Sequence, residues 1–298
     1  MGSHSADKIK FTSFDDLFGA EPENGVNESQ IVRIPLSKLH PFHHHPFRIL
    51  DDEQMAETVR SVKHYGVLLP GLVRQDQNGG YEIVAGHRRK RASELAGCDD
   101  MPVIIRNLSD DEATVIMVDS NIQREDLLPS EKAWAYRMKL EALSHQGAKG
   151  EKYTADVIGE TAGESGRTVQ RYIRLTYLKE ELLDYIDQKK LQMMAGERIS
   201  FLTGEEQGWV LRVIEEHCRF PSKNEAEILK EESSQSTLTE KILLELLLRV
   251  EKPKGITISG KRIREYFPQN YTREQIETIL YELLDSWKSN LDQEETES

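Results

Sequence analysis

The stretch "YEIVAGHRRKRASELAG", Tyr81 to Gly97, runs from an apolar strand pattern through one glycine into four basic residues, directly ahead of a helix pattern. A strand that ends in glycine and opens a helix brings unpaired backbone N–H groups and the positive end of the helix dipole to one point, which is an anion site. Arg88 and Arg89 fall in the first turn of that helix, where the dipole disfavours cations unless an anion neutralises them. Their planar forks match phosphate geometry. Lys90 and Arg91 suit a solvated surface, and a plain surface charge cluster is the competing reading of the whole run. His87 is placed to cap the site, donate to a phosphate or fill space; no nucleophile neighbours it in sequence, which disfavours a catalytic role.

A second stretch, "YTADVIGETAGESGRTVQRYIRLTYL", has the form of a helix-turn-helix. One helix starts at Thr154, the turn falls at Gly163, and a second helix is capped by Ser165. Val157 and Ile158 pack the first helix, and Val169, Ile173 and Leu175 the second. Ser165, Arg167, Thr168, Gln170, Arg171 and Arg174 then stand outward at the second helix, with the side-chain types that read base edges and phosphates. An ordinary helical hairpin with a wet basic face, diluted by Glu160 and Glu164, is the rival. In "HPFHHHPFR", His40 to Arg48, tandem histidines point to different sides and no carboxylate or thiolate completes a ligand set. A turn between Pro41 and Pro46 that lines a pocket is the better reading of His43 to His45.

These residues need elements to hold them. From Ile31 the pattern alternates strands and helices: "IVRIPL", a helix on Met55, Val59 and Val62 ending near Gly66, and then "LPGLVRQ" and "YEIVAG" joined across Asn78, Gly79 and Gly80. The helix after the basic turn points Ala92, Leu95 and Ala96 inward and stops at Gly97. "MPVIIR" is a further strand, and "SDDE" from Ser109 is a capping box. After "DSNIQREDLLPSE" the strand signals vanish. Pro129 opens a helix carried by Ala133, Tyr136, Leu140 and Leu143. The last long helix, capped by Thr272 and Gln275, aligns Ile276, Ile279, Leu280, Leu283, Leu284 and Trp287 in one stripe, suited to a core or to a second copy of the chain.

Lys plus Arg number 39 against 52 Asp plus Glu, a formal charge of −13, so any nucleic-acid contact must be a local footprint. Two cysteines, Cys98 and Cys218, lie far apart and suggest neither a disulfide framework nor a thiolate zinc site. No apolar run is long enough for a bilayer. The expected organisation is a tail over 1–30 in which Phe11, Phe14, Leu17 and Phe18 form a sticky helix that either docks on its own protein or binds a partner, an α/β domain over 31–118, a helix-turn-helix domain over 119–217, a mainly helical domain over 218–290 and an acidic tail over 291–298.

The order of features, a strand, then "AGHRRKRA", then "NIQREDLLPSEKA", then "GRTVQRYIRL", resembles the ParB family of DNA-partitioning proteins. The resemblance covers Ile31 to Leu178, and Phe220 onward looks like the tail of ParB-like proteins of mobile or conjugative elements. It implies an α+β chain passing into an all-α one: a sulfiredoxin-like α/β domain that binds CTP with a divalent cation such as Mg2+, a helical domain on palindromic double-stranded DNA, and a C-terminal domain that makes a homodimer. It also implies a nucleotide-gated clamp that slides on DNA, a ParA-type ATPase as partner, and a place in the bacterial cytoplasm on the nucleoid. The family's Gly-Glu-Arg-Arg-x-Arg-Ala appears as Gly86, His87, Arg88, Arg89, Lys90, Arg91, Ala92, which carries nucleotide binding onto Gly86, His87, Arg88 and Arg89, with His87 where the acid stands. Its Glu-Asn-Ile-Gln-Arg appears as Ser120 to Arg124, so Asn121 and Arg124 transfer. The metal side falls to Asn121, with Asp119 in place of the missing acid. Leu69 and Pro70 stand where the family has Gln-Pro, removing a nucleobase contact.

The departures at His87 and Ser120 leave open whether the protein is a weak CTP hydrolase. The leader "FTSFDDLFG" resembles the segment through which the family engages its ATPase. The alternative function is a ParB-like transcriptional regulator of a mobile element with no role in segregation. An enzymatic use of the sulfiredoxin-like domain ranks last: a reductase needs a cysteine in the Gly86-His87-Arg88 turn, and Cys98 lies beyond the following helix.

Overall fold

The computed structural model describes residues 30–77, 79–124, 126–145, 147, 151–248, 260–268 and 270–296. The expected partner peptide Phe11–Phe18 lies outside the described residues. The chain divides into two units, Met1–Leu248 and Arg249–Ser298.

The first unit opens with a five-stranded mixed sheet in the order β1-β5-β3-β4-β2, from β1 (Ile31–Pro35), β2 (Leu39–His40), β3 (Gly71–Gln75), β4 (Tyr81–Ala85) and β5 (Asp100–Ile105). β3 and β4 form the antiparallel hairpin that the glycine pair predicts, with Gly79 and Gly80 at φ 94° and 82°. β3 pairs with β5 in parallel, and the return between β4 and β5 is made by α2 (His87–Ala96). Strand β1 closes one edge antiparallel to β5, with alternate residues exposed. Helix α1 (Glu53–Tyr65) starts on Asp52, whose carboxylate accepts from the Met55 N–H at 2.8 Å, and ends at Gly66 as expected. Its Met55 and Val62 pack on Ala92 of α2.

Leu95 departs from expectation, being 42% exposed while Ser93 is buried. Helix α2 lies against both the sheet and α1, and that close approach selects the small residues Ala92, Ser93 and Ala96 for the inner face. Helix α3 (Asp110–Asp119) follows β5 through the Ser109 and Glu112 capping box, whose reciprocal bond from the Ser109 N–H is 2.9 Å.

From there the first unit is helical: α4 (Pro129–His145), α5 (Glu151–Ala162), α6 (Gly166–Leu175), α7 (Glu180–Asp187), α8 (Met193–Ile199), α9 (Gly204–His217), α10 (Lys223–Ser234) and α11 (Glu240–Leu247). Two cores cross the boundaries expected at 118 and 217. One joins Phe42, Leu72, Val84 and Ile116 to Tyr136, Ile158 and Val169, so the face of the α/β layer and the helix-turn-helix share buried surface. The other runs from Ala133 and Leu175 through Leu182, Ile199 and Val210 to Leu229, Leu243 and Leu247. The physical reason is continuity of apolar faces: α4 presents Ala135 and Tyr136 to the core shared with the α/β layer, and α9 presents Val210, Val213 and Ile214 to the core shared with α10 and α11.

The second unit holds α12 (Gly260–Arg264) and α13 (Arg273–Thr296). The expected cap is present, with the Thr272 N–H donating to Gln275 Oε1 at 2.9 Å and the Gln275 N–H to Thr272 Oγ1 at 3.3 Å. Along the stripe Ile276 is buried, Ile279 and Leu280 are half-buried, and Leu283, Leu284 and Trp287 are exposed. Among the described residues no helix is long and apolar enough to cross a membrane.

Candidate functional site

Three segments meet at the start of α2: the histidine loop after β2, the turn after β4 and the turn after α3. Between them lies a cavity of about 200 Å3 lined by His45, Arg48, Ile49, Ala85, Gly86, His87, Arg88, Arg89, Ser120, Asn121 and Arg124. Every nucleotide-binding residue carried over from the resemblance lines it. Ser120, Arg48 and Ile49 also line it; the expected pocket turn between Pro41 and Pro46 ends just before Arg48, whose cationic type next to the histidines was the available signal.

Gly86 makes the turn. Its φ is 114° and a Cβ there would lie 3.2 Å from Gly71 Cα, so a side chain would be strained by the backbone conformation and crowded by the neighbouring strand. Glycine also leaves the N-terminus of α2 with no side-chain cap and no acid in its first turn. The N–H groups of that turn are therefore left for an anion.

The two arginines divide the work. Arg89 folds inward, its Nη1 donating to the carbonyl of Leu69 at 2.8 Å and to that of Pro70, and burial pushes its pKa down. It braces the chain before β3 while still edging the cavity. Arg88 sits 3.6 Å from Asp52 and faces both the cavity and an adjoining open cleft with Gln54, Arg124 and Asp126. Arg91 and Lys90 pair with Asp51 and Glu94, consistent with a solvated role.

His87 is buried, and its Nε2 accepts from the Phe42 N–H at 3.2 Å. Burial, reinforced by His45, Lys90 and Arg89, pushes its pKa down to about 3, so it is neutral and fills space beneath the turn. His45 packs against it in a tilted contact, 3.9 Å between ring centroids, and donates from Nδ1 to the Phe47 carbonyl at 2.8 Å. Burial lowers the His45 pKa against that bond, with a smaller push from Arg124. The loop that carries it is tied down at both ends: Glu82 accepts from the His43 N–H at 2.8 Å, and buried Glu131 of α4 accepts from the Arg48 N–H at 2.6 Å.

Asn121 donates to the Met117 carbonyl at 2.9 Å and to Ser120 Oγ at 3.2 Å, and Arg124 forks onto Asp126 at 3.3 and 3.0 Å. Asp119 does not take the metal-side place expected of it. Its carboxylate pairs with Lys139, which is 4% exposed and also donates to Thr161 Oγ1 at 2.9 Å. A buried ammonium needs that partner, and the demand turns Asp119 away from the cavity. The described lining residues therefore include no carboxylate, and no group of three metal-ligating side chains exists among the described residues. Divalent cations of the Mg2+ type are held through carboxylates and phosphate oxygens. The described residues that line the cavity do not fit such an ion.

The second site is α5-turn-α6. Close crossing of the two helices favours glycine twice: a Cβ on Gly159 would run into the Glu164 carbonyl and lie 3.1 Å from the Gly166 backbone nitrogen, and one on Gly166 would lie 2.9 Å from Asp156 Cα. Ser165 caps α6, its Oγ accepting from the Thr168 N–H at 3.1 Å. Arg167 and Gln170 are exposed, Thr168 and Arg171 are half-buried, and Arg171 Nε lies 3.8 Å from Glu197. Arg174, expected outward, is instead a brace. It donates to Ser200 Oγ at 3.1 Å and to the Ser200 carbonyl at 2.8 Å, with its guanidinium 3.9 Å from the Phe201 ring centroid and 4.5 Å from that of Tyr177. Two rings and a carbonyl hold it more firmly than water does.

An α/β layer with an uncapped, arginine-lined helix start, built onto a helix-turn-helix, defines a class of protein that pairs an anion pocket with a candidate nucleic-acid reader. A model of the ParB N-terminal domain matches residues 20–122. The Probable chromosome 1-partitioning protein ParB of Deinococcus radiodurans is 34% identical over 204 residues, 68% of this chain and 67% of the relative. The chromosome-partitioning protein Spo0J of Thermus thermophilus is 29% identical over 265 residues, 88% and 93% of the two chains. Among solved structures, truncated ParB of Caulobacter crescentus complexed to the centromeric parS site is 27% identical, with a TM-score of 0.42 over 67% of this chain and 99% of that one. The same protein with CTP-gamma-S is 28% identical, with a TM-score of 0.30 over 62% and 99%. The chain belongs to the ParB family.

Proposed function

We propose that the protein is a partition-type, sequence-specific DNA-binding protein whose α/β layer takes up a nucleoside triphosphate, CTP in the first instance, and whose two protomers close as a clamp when it binds. The observation that carries the reading is the cavity itself. It gathers an uncapped helix N-terminus, Arg88 and the Asn121–Arg124 turn at one point, and that turn leads into the helices of the DNA reader. Arg167, Gln170 and Arg171 are the base and phosphate contacts, with Ser165 and Thr168 fixing the helix start. The domain reading of 31–118, 119–217 and 218–290 stands as part of this proposal, with the first two sharing a core. The exposed Leu283, Leu284 and Trp287 of α13 suit a homodimer contact, and a ParA-type ATPase is the partner the family implies. A mobile-element origin of the C-terminal region draws no support from the relatives compared, which are chromosomal by name.

Selection from a random duplex pool is expected to return one palindromic site. Arg171→Ala should weaken binding to it by about tenfold or more, while Arg88→Ala should spare that binding and remove nucleotide binding in calorimetry. Failure to enrich any duplex would overturn the DNA reading, and unchanged nucleotide heat with Arg88→Ala would overturn the pocket reading.

A further inference from the structure

Resting on that pocket reading, we infer that this chain binds its nucleotide as a metal-free polyphosphate, with arginines neutralising the charge that a divalent cation neutralises elsewhere. Three observations point there. The described lining of the cavity carries four arginines, Arg48, Arg88, Arg89 and Arg124, and no carboxylate. Asp119, the described acid that directly precedes the turn, is spent on buried Lys139, and Ser120 occupies the position where the family motif has its glutamate. Two described acids at the mouth are already bound to arginine: Asp52 lies 3.6 Å from Arg88, and Asp126 takes both arms of the Arg124 fork.

Those two carboxylates occupy arginines that phosphate oxygens would take, and phosphate is the better match for a planar fork because it offers more charge and more acceptors. An incoming polyphosphate exchanges with them. A hydrated Mg2+ entering with it would meet guanidinium groups on several sides and no anionic oxygen of the described lining, so its presence should not help.

The test is calorimetric titration of CTP, and of inorganic triphosphate, into the full chain in Mg2+ and in EDTA. The expected result is binding of CTP with dissociation constants that agree within about twofold in the two conditions. A loss of about tenfold or more in EDTA overturns the inference while leaving the pocket reading standing; no heat from either probe in either condition overturns both. Ser120→Glu, which restores an acid at the motif position, should make binding depend on Mg2+. Asp126→Asn, which frees Arg124, should tighten CTP equally in both conditions; weakening confined to the Mg2+ titration would mark Asp126 as a metal ligand and sink the idea. Asp119→Asn should leave both titrations unchanged. Glu125, which lies outside the described residues, is tested by Glu125→Gln, for which metal dependence in the parent that disappears in the variant is an overturning result.

Discussion

Helices α2 and α6 both begin with basic residues, yet their starts are built in opposite ways. Helix α6 satisfies its own N-terminus through Ser165, so what it offers a partner is its exposed side chains, Arg167 and Gln170. Helix α2 begins on Gly86 with no side-chain cap, and its arginines are drawn inward or toward nearby acids. What α2 offers is backbone N–H groups at the floor of a cavity. On the function proposed above, the difference separates two kinds of anion recognition: a capped helix can reach into a groove and read through side chains, whereas an uncapped one waits for an anion to come to it.

The sharpest way to break this contrast is to give α2 a side chain at its start. Gly86→Ala puts a Cβ on a residue at φ 114°, 3.2 Å from Gly71 Cα and 3.3 Å from the Arg89 guanidinium. Backbone strain and the displaced strand should together cost about 2–3 kcal/mol of stability, measured by urea denaturation, and nucleotide heat should vanish even where the variant stays folded. Retained binding would mean that the turn is not the floor of the site.

Acidification probes the same place from below. His87 is neutral in the folded protein, with its pKa pushed down to about 3 from an ordinary 6.5, so the unfolded chain binds a proton that the folded chain does not as pH falls below 6.5. Stability is therefore full above about 6.5 and is lost progressively toward pH 3, with His45 acting in the same direction. At pH 5.5, one unit below the unfolded value, His87 alone removes about 1.4 kcal/mol. His87→Gln keeps an acceptor for the Phe42 N–H and should flatten the dependence between pH 7.5 and 5.5; a slope equal to that of the parent would assign the loss to other groups. Helix α6 carries no buried histidine in its first turn, and a local probe there should show no comparable step.

The halves of this contrast were unequally legible in the sequence. The strand, the glycine and the basic run declare the anion turn because they act through local backbone geometry, and the Ser165 cap is local too. The fates of three charged groups were not legible, because their partners are remote. Arg89 bonds to a carbonyl 20 residues away, Arg174 to one 26 residues away, and Asp119 to an ammonium 20 residues away. Arg174 and Asp119 look like functional residues by type and position, and only folding shows that each is consumed by a brace or a buried ion pair. Leu95 failed for a related reason: helical periodicity identifies a face but not how tightly a neighbour presses on it. The boundaries expected at 118 and 217 follow changes of pattern, whereas shared burial is set by remote partners: Ile116 joins Tyr136 in one core and Val210 joins Leu229 in the other.

The mildest test removes the cap from the other helix. Ser165→Ala takes away the acceptor for the Thr168 N–H and should cost about 1 kcal/mol of stability by denaturation. Since Ser165 Oγ also bonds Thr168 Oγ1 at 2.8 Å, the start of α6 should loosen, and affinity for the selected palindrome should fall modestly while CTP titration is unchanged. The variant leaves α6 with a bare N-terminus of the kind that α2 has, away from the arginine-lined cavity at α2. If Ser165→Ala acquired CTP or triphosphate binding of its own, an uncapped helix start would be sufficient for the anion site, and the surrounding arginines of α2 would lose the role assigned to them; if it acquires none, the cavity and its cations are what turn a helix end into a site.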